Sequence, residues 1–136
     1  MNRYARILMW LLRVEGVIML VALGAVVMPT DWMNTINRRS GLGELPRGPV
    51  IEYLTRSLSG FYALHGALLL FLAGDVVRHL VVIRFLALAG VVFGLLMLAL
   101  DLSVAMPLGW TIQEGPGIVA MSLLFFWLAR RAKAPG

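Results

Sequence analysis

Long apolar stretches alternate with short polar joints along this chain. The first stretch, ILMWLLRVEGVIMLVALGAVVM at Ile7–Met28, carries only Arg13 and Glu15 as ionisable groups. The second, Tyr53–Ala73, reads YLTRSLSGFYALHGALLLFLA, and Pro49 just ahead of it suits a first helical turn. The third, Val81–Leu100, reads VVIRFLALAGVVFGLLMLAL, and the fourth, Gln113–Ala129, reads QEGPGIVAMSLLFFWLA. A helix of about 20 apolar residues crosses a hydrocarbon core of roughly 30 Å. The pattern therefore predicts an all-α integral membrane protein, a single membrane domain folded as an antiparallel four-transmembrane-helix bundle. Its predicted spans are residues 7–28, 49–73, 76–100 and 113–130, with outer loops at 29–48 and 101–112. A fourth span beginning near Leu108 and kinked at Pro116 remains a second possibility.

The polar joints refine this reading. Gly74 and Asp75 make a tight connection, with Asp75 placed to cap the third helix. The long joint, from Pro29 to about Gly48, contains TDWMNTINRRSG. Thr30 or Asp31 suits an N-cap, Trp32, Met33 and Ile36 share a side, and Gly41 is a stop signal, so a short interfacial helix is expected there. The first stretch follows Arg3 and Arg6, as a signal peptide would. It is longer than the usual apolar region, carries Glu15 and has no A-x-A-like site, so a retained helix is expected.

Composition excludes the soluble alternative. Hydrophobic residues make up 60% and charged residues 14% of the chain, against roughly 25% charged in soluble domains. Cysteine is absent and the histidines number two, His65 and His79. Disulfides, thiol chemistry and multi-histidine metal sites have no material, and no cofactor is expected. The net charge of +5 would suggest nucleic acid in a soluble protein. Here the basic residues flank apolar segments, so the lipid bilayer is the expected partner and nucleic acid is not. Arg3, Arg6, Arg13, Arg78, Arg84, Arg130, Arg131 and Lys133 fall at inner ends, and Arg38, Arg39, Arg47 and Arg56 at outer ones. That bias among the 12 basic residues predicts an N-in/C-in orientation. Trp10 and Trp127 then mark one interface, Trp32 and Trp110 the other. RRAKAPG reads as a basic anchor beside anionic lipid.

Small residues suggest packing faces: Ser59, Ala63 and Ala67 in the second span, and Gly90 with Gly94 in the third. The glycine pair serves either a homodimer or packing within one bundle.

The candidate chemistry centres on Glu15. It lies eight residues into its stretch, about 12 Å of helical rise, and His65 lies eight residues from Ala73. The two depths match. A buried carboxylate needs a partner, so an intramembrane polar pair or pocket of Glu15, His65 and Tyr62 is expected. Arg13, two residues from Glu15, points elsewhere and snorkels. The trio reads either as a proton relay or binding pocket, or as a clasp between the first two helices. An outer-end charge cluster of Arg56, Asp101 and Glu114 is also expected, with Glu52 four residues from Arg56. Its bland reading is a set of interfacial salt bridges.

RSLSGFYALHGALLL after a long first loop, and DLSVAMPLGWTIQEGP joining the last two spans, resemble the DoxX-like small four-helix bacterial membrane proteins, chiefly their uncharacterised relatives. Arg56, Gly60, Asp101, Pro107 and Glu114 occupy the positions that carry the likeness. The resemblance implies a four-helix bundle in a bacterial inner membrane, with named relatives acting as membrane subunits of oxidoreductase-like assemblies. Three functions stay open. The first is a non-enzymatic accessory subunit or scaffold with a membrane protein partner. The second is a small proton-coupled transporter using Glu15 and His65. The small multidrug resistance family also places a Glu in its first of four helices, though with shorter loops. The third is a membrane enzyme for a lipophilic substrate, for which no nucleophile, phosphate-loop or metal spacing is present.

Overall fold

A computed structural model describes residues 1–132. Of the expected basic anchor, residues 133–136, Lys133 among them, lie outside the described residues. Helix makes up 81% of the structure, and no strand occurs among the described residues. The helices are α1 (Arg3–Val21), α2 (Leu23–Val27), α3 (Thr30–Arg39), α4 (Pro49–Gly74), α5 (Leu80–Ser103), α6 (Leu108–Gln113) and α7 (Gly115–Arg131). Four stretches are long and apolar enough to cross a membrane: Arg3–Val27, Pro49–Gly74, Leu80–Ser103 and Leu108–Arg131, each of 24 to 26 residues. At 1.5 Å per residue they measure about 36–39 Å, more than the hydrocarbon core requires.

Several boundaries differ from the expected ones, and local chemistry explains each shift. The first helix begins at Arg3 because Asn2 caps it, its Oδ1 accepting the Ala5 N–H at 2.9 Å. Near the far end, Ala22 donates to Met19 O (3.1 Å) and Ala25 to Ala22 O (3.0 Å). These three-residue steps tighten the helix and separate α1 from α2. Met28 is extended (φ −66°, ψ 139°), as a residue before proline prefers. The short helix α3 is present, with Pro29 rather than Thr30 or Asp31 at its N-cap. Gly41 ends it at φ 79°, with Leu42 N–H bonding Asn37 O and Gly41 N–H bonding Arg38 O, both at 3.1 Å. This double closure needs a left-handed residue, which glycine supplies without steric cost.

Asp75 does cap, but it caps a turn: its Oδ1 accepts the Arg78 N–H at 3.1 Å, and α5 starts only at Leu80. Its other end runs past the expected Leu100 to Ser103. There Ala105 takes the left-handed conformation (φ 53°) while Met106 N–H bonds Asp101 O at 2.9 Å. The closure resembles that of α3, without a glycine to relieve it. α5 runs to Ser103 and the fourth span begins at Leu108, so two thirds of the expected 101–112 loop is helical. Pro116 has no N–H to offer Ile112 O, and the helix breaks at Glu114 (φ −74°, ψ −81°).

The chain divides into two compact units, Leu12–Phe71 and Met1–Leu11 with Leu72–Gly136. In the latter, α5 and α7 lie antiparallel: Gly90 faces Ser122, Gly94 faces Val119, and Leu98 faces Gly115. A Cβ on Gly94 would stand 2.8 Å from Val119 Cγ2 and 2.9 Å from Gly115 O. Ile83, Ala87, Phe125 and Leu128 are buried in this unit. Where lipid removes the hydrophobic drive between helices, such close backbone packing supplies the attraction.

Candidate functional site

The Leu12–Phe71 unit holds the residues that the sequence singles out as chemical. Its organising contact joins two glycines. A Cβ on Gly66 would lie 2.6 Å from Gly16 O and 2.8 Å from Leu20 N. A Cβ on Gly16 would lie 2.9 Å from both Gly66 O and Leu70 Cγ. The backbones of α1 and α4 therefore touch at this crossing. The expected small-residue face is displaced from it. Ala63 is buried, but Ala67 is exposed, and Ser59 Oγ donates to Thr55 O within its own helix at 2.9 Å. The residue taking the contact is Gly66, one position before Ala67.

Glu15 and His65 each precede one of these glycines. In an antiparallel pair of right-handed helices, the residue before each contact residue rotates about 100° to the same flank. Glu15 and His65 thus leave the crossing on one side and at similar depth. Glu15 Oε2 is buried with no hydrogen-bond partner, and no ion pair joins it to His65. The expected direct clasp is not made in this geometry. Matching depth and the cost of a lone buried carboxylate suggested it, and the azimuth around each helix was left out of that reading. Tyr62, one turn before Gly66 on α4, is half-buried on the same side of that helix. The three residues form a polar flank beside the glycine crossing. It offers one carboxylate oxygen without a donor, in a region where unsatisfied polar groups cost several kcal/mol.

Of the three residues expected in an outer-end cluster, Arg56 and Glu114 have partners close to them and Asp101 has none for its Oδ2. Arg56 extends from α4 to donate from its guanidinium to Val26 O at the end of α2, at 2.5 Å. A cation on a last-turn carbonyl satisfies an orphan acceptor and suits the helix dipole. Thr30 Oγ1 donates to Glu52 Oε1 at 3.3 Å. In the other unit, Trp110 Nε1 donates to Glu114 Oε2 at 2.7 Å across the helix break. Asp101 is 5% exposed, and its Oδ2 has no hydrogen-bond partner.

The unit containing both chain ends has contacts that the sequence pattern did not announce. Arg84 of α5 donates from Nε (3.2 Å) and a terminal nitrogen (2.7 Å) to Ala129 O near the end of α7. The Asn2 side-chain amide donates to Arg131 O at 2.8 Å. Arg84, expected only at an inner end, thus acquires an individual partner. Asn2 is readable as an N-cap, since it is the residue type that most favours that position. Gly16 and Gly66 were also readable, as glycines beside the two ionisable residues.

Among the described residues, no cluster of three or more His, Cys, Asp or Glu could hold a metal ion. No protein-family model, curated protein or solved structure matches this chain.

Proposed function

We propose that this chain is an integral membrane protein of a bacterial inner membrane, spanning it four times as a bundle with both termini inside. Its task is that of a non-catalytic accessory subunit that docks a membrane partner through a helix face. The observation that carries the reading is a stripe on α4. Leu54, Leu58, Phe61, Leu64, Leu68 and Phe71 are all exposed. They recur every three or four residues, the spacing by which one helix meets another. The likeness to DoxX-like proteins, some of which are subunits of larger membrane assemblies, supports the same reading.

Affinity purification in mild detergent tests it. The full chain should retain a stoichiometric membrane partner, and Phe61→Ala with Leu64→Ala should release it while leaving the chain folded. Recovery of the chain alone, or a partner indifferent to those substitutions, overturns the subunit role. Orientation has its own test: Ser40→Cys should react with an impermeant thiol reagent on intact cells, and protection there reverses the topology.

A second reading has one observation in its favour. The unpartnered Glu15 oxygen beside His65 is suited to accept a proton or a hydrogen-bond donor from a transported molecule. Proteoliposomes should then show substrate-dependent proton movement that Glu15→Gln abolishes.

A further inference from the structure

The region around Tyr4 brings cations together, with no ion-paired acid beside them among the described residues. The Arg3 guanidinium lies 5.3 Å from the centroid of the Tyr4 ring, and that of Arg131 lies 5.9 Å from the same centroid. Those distances keep the two cations no more than about 11 Å apart, on the order of one Debye length in physiological salt. Arg131 also stacks 5.1 Å from the Trp127 ring. Tyr4 and Trp127 meet edge to face at 5.6 Å, with an interplanar angle of 86°. No carboxylate among the described residues is ion-paired to Arg3 or Arg131; the ion pair found there is Arg38–Glu44.

The end of α7 does not account for these charges. Three of its last four carbonyls already have donors: Ala132 N–H bonds Leu128 O, Arg84 bonds Ala129 O, and Asn2 bonds Arg131 O. Among the described residues, no hydrogen bond from the Arg3 or Arg131 guanidinium to that helix end is found. Both rest on aromatic faces, which fixes their planes without consuming their N–H donors. A planar donor fork held in place matches a phosphate. Tyr and Trp rings are the side chains that settle at headgroup depth. Arg6 and Arg130 are exposed nearby in sequence on the same two helices, and they add attraction of the same sign.

We propose that Arg3 and Arg131, braced by Tyr4 and Trp127, form a seat for the phosphodiester of one anionic phospholipid at the inner face. The inference rests on the membrane-spanning reading but not on the subunit role. It goes beyond a basic tail near charged lipid, because it assigns a bound headgroup to particular residues within the described fold.

The test is a titration of the purified full chain in neutral detergent, read by native mass spectrometry. The probes are phosphatidylglycerol and phosphatidylcholine with identical acyl chains. Binding of phosphatidylglycerol should be tighter by about thirty-fold, from roughly one interfacial charge interaction for each of the two arginines. Arg3→Gln with Arg131→Gln should remove the preference, whereas Arg38→Gln with Arg39→Gln, the same loss of charge on α3, should keep it. Arg3→Gln with Arg130→Gln is the second variant, for use if the first loses its fold, and it should weaken the preference. Equal binding of the two lipids overturns the seat, as does a preference that survives both inner variants or falls equally in the α3 variant. Equal competition by free glycerol phosphate overturns the assignment to lipid. Failure of the membrane reading looks different: the chain would leave the membrane fraction on alkaline washing, whatever lipid it binds.

Discussion

The α1–α4 contact and the α5–α7 contact solve one packing problem with different chemistry. Both bring backbones together through residues without bulk. Between α5 and α7, Gly90, Gly94 and Gly115 spread the approach over two turns, and a serine hydroxyl is the polar group nearest to it. Between α1 and α4 the approach concentrates at Gly16 and Gly66, with Glu15 and His65 directly beside it. The first arrangement can be explained by packing alone. The second keeps a carboxylate with a partnerless buried oxygen next to its tightest point, a burden that packing does not require. That difference draws attention to the α1–α4 crossing, although the other unit also buries a carboxylate oxygen without a partner, Asp101 Oδ2 at the far end of α5.

Substitutions sharpen the contrast, and Gly66→Ala should have the largest effect. The added methyl would meet Gly16 O and Leu20 N, which are backbone atoms that move only if a whole helix moves. A loss of about 3 kcal/mol, at the top of the range for overpacking, is expected in bicelle unfolding experiments. A loss under about 1 kcal/mol would show that the crossing is looser than described.

Arg56→Met should follow, with a loss of about 2 kcal/mol, the scale of a hydrogen bond to a charged group. Hydrogen exchange should locate the damage at the end of α2, since Val26 O loses its donor. Uniform loss along α4 would argue that Arg56 acts elsewhere.

Glu15→Met carries the opposite sign. Removing a buried oxygen that has no partner should leave stability unchanged or raise it by about 1 kcal/mol. A clasp between Glu15 and His65 predicts otherwise. Glu15→Ala and His65→Ala would then each cost about 1–3 kcal/mol, with the double variant costing less than the two together. Such a cycle would restore the pairing and return Glu15 to a structural role.

Gly90→Ala should be the mildest. Its methyl meets the hydroxyl of Ser122, a side-chain end that rotates away, so the cost should stay below about 1 kcal/mol. If it equals that of Gly66→Ala, the two contacts are alike after all and the comparison fails.

The spans were legible in the sequence because hydropathy over some 20 residues is a strong signal. The ends were less so. Ser103 is reached because Ala105 adopts a conformation that its side chain does not advertise. Leu108 opens the fourth span because Pro116 breaks the helix without ending it. The candidate site was half legible. Glu15 and His65 stand out as ionisable groups in apolar runs, and their shared depth follows from counting. Which way each side chain points depends on the helix crossing, and that crossing was sought at Ser59, Ala63 and Ala67. Gly66 moves the contact by one residue from Ala67, which turns the face by about 100°. Hydrogen bonds such as Arg84 to Ala129, 45 residues apart, leave no local trace at all.

The Asn2 bond to Arg131 O spans 129 residues of sequence, and it bears on how the protein is made. The helix that enters the membrane first has its leading end completed last. While the ribosome is still translating, Asn2 can cap Ala5, but it has no α7 to hold, and Tyr4 has no Trp127 ring to meet. Contacts so distant in sequence slow the final assembly, and closing them costs only a little more than closing shorter loops. A chain released before α7 is complete would still be able to insert three apolar helices. It would lack the Asn2 bond to Arg131 O and the Tyr4–Trp127 contact.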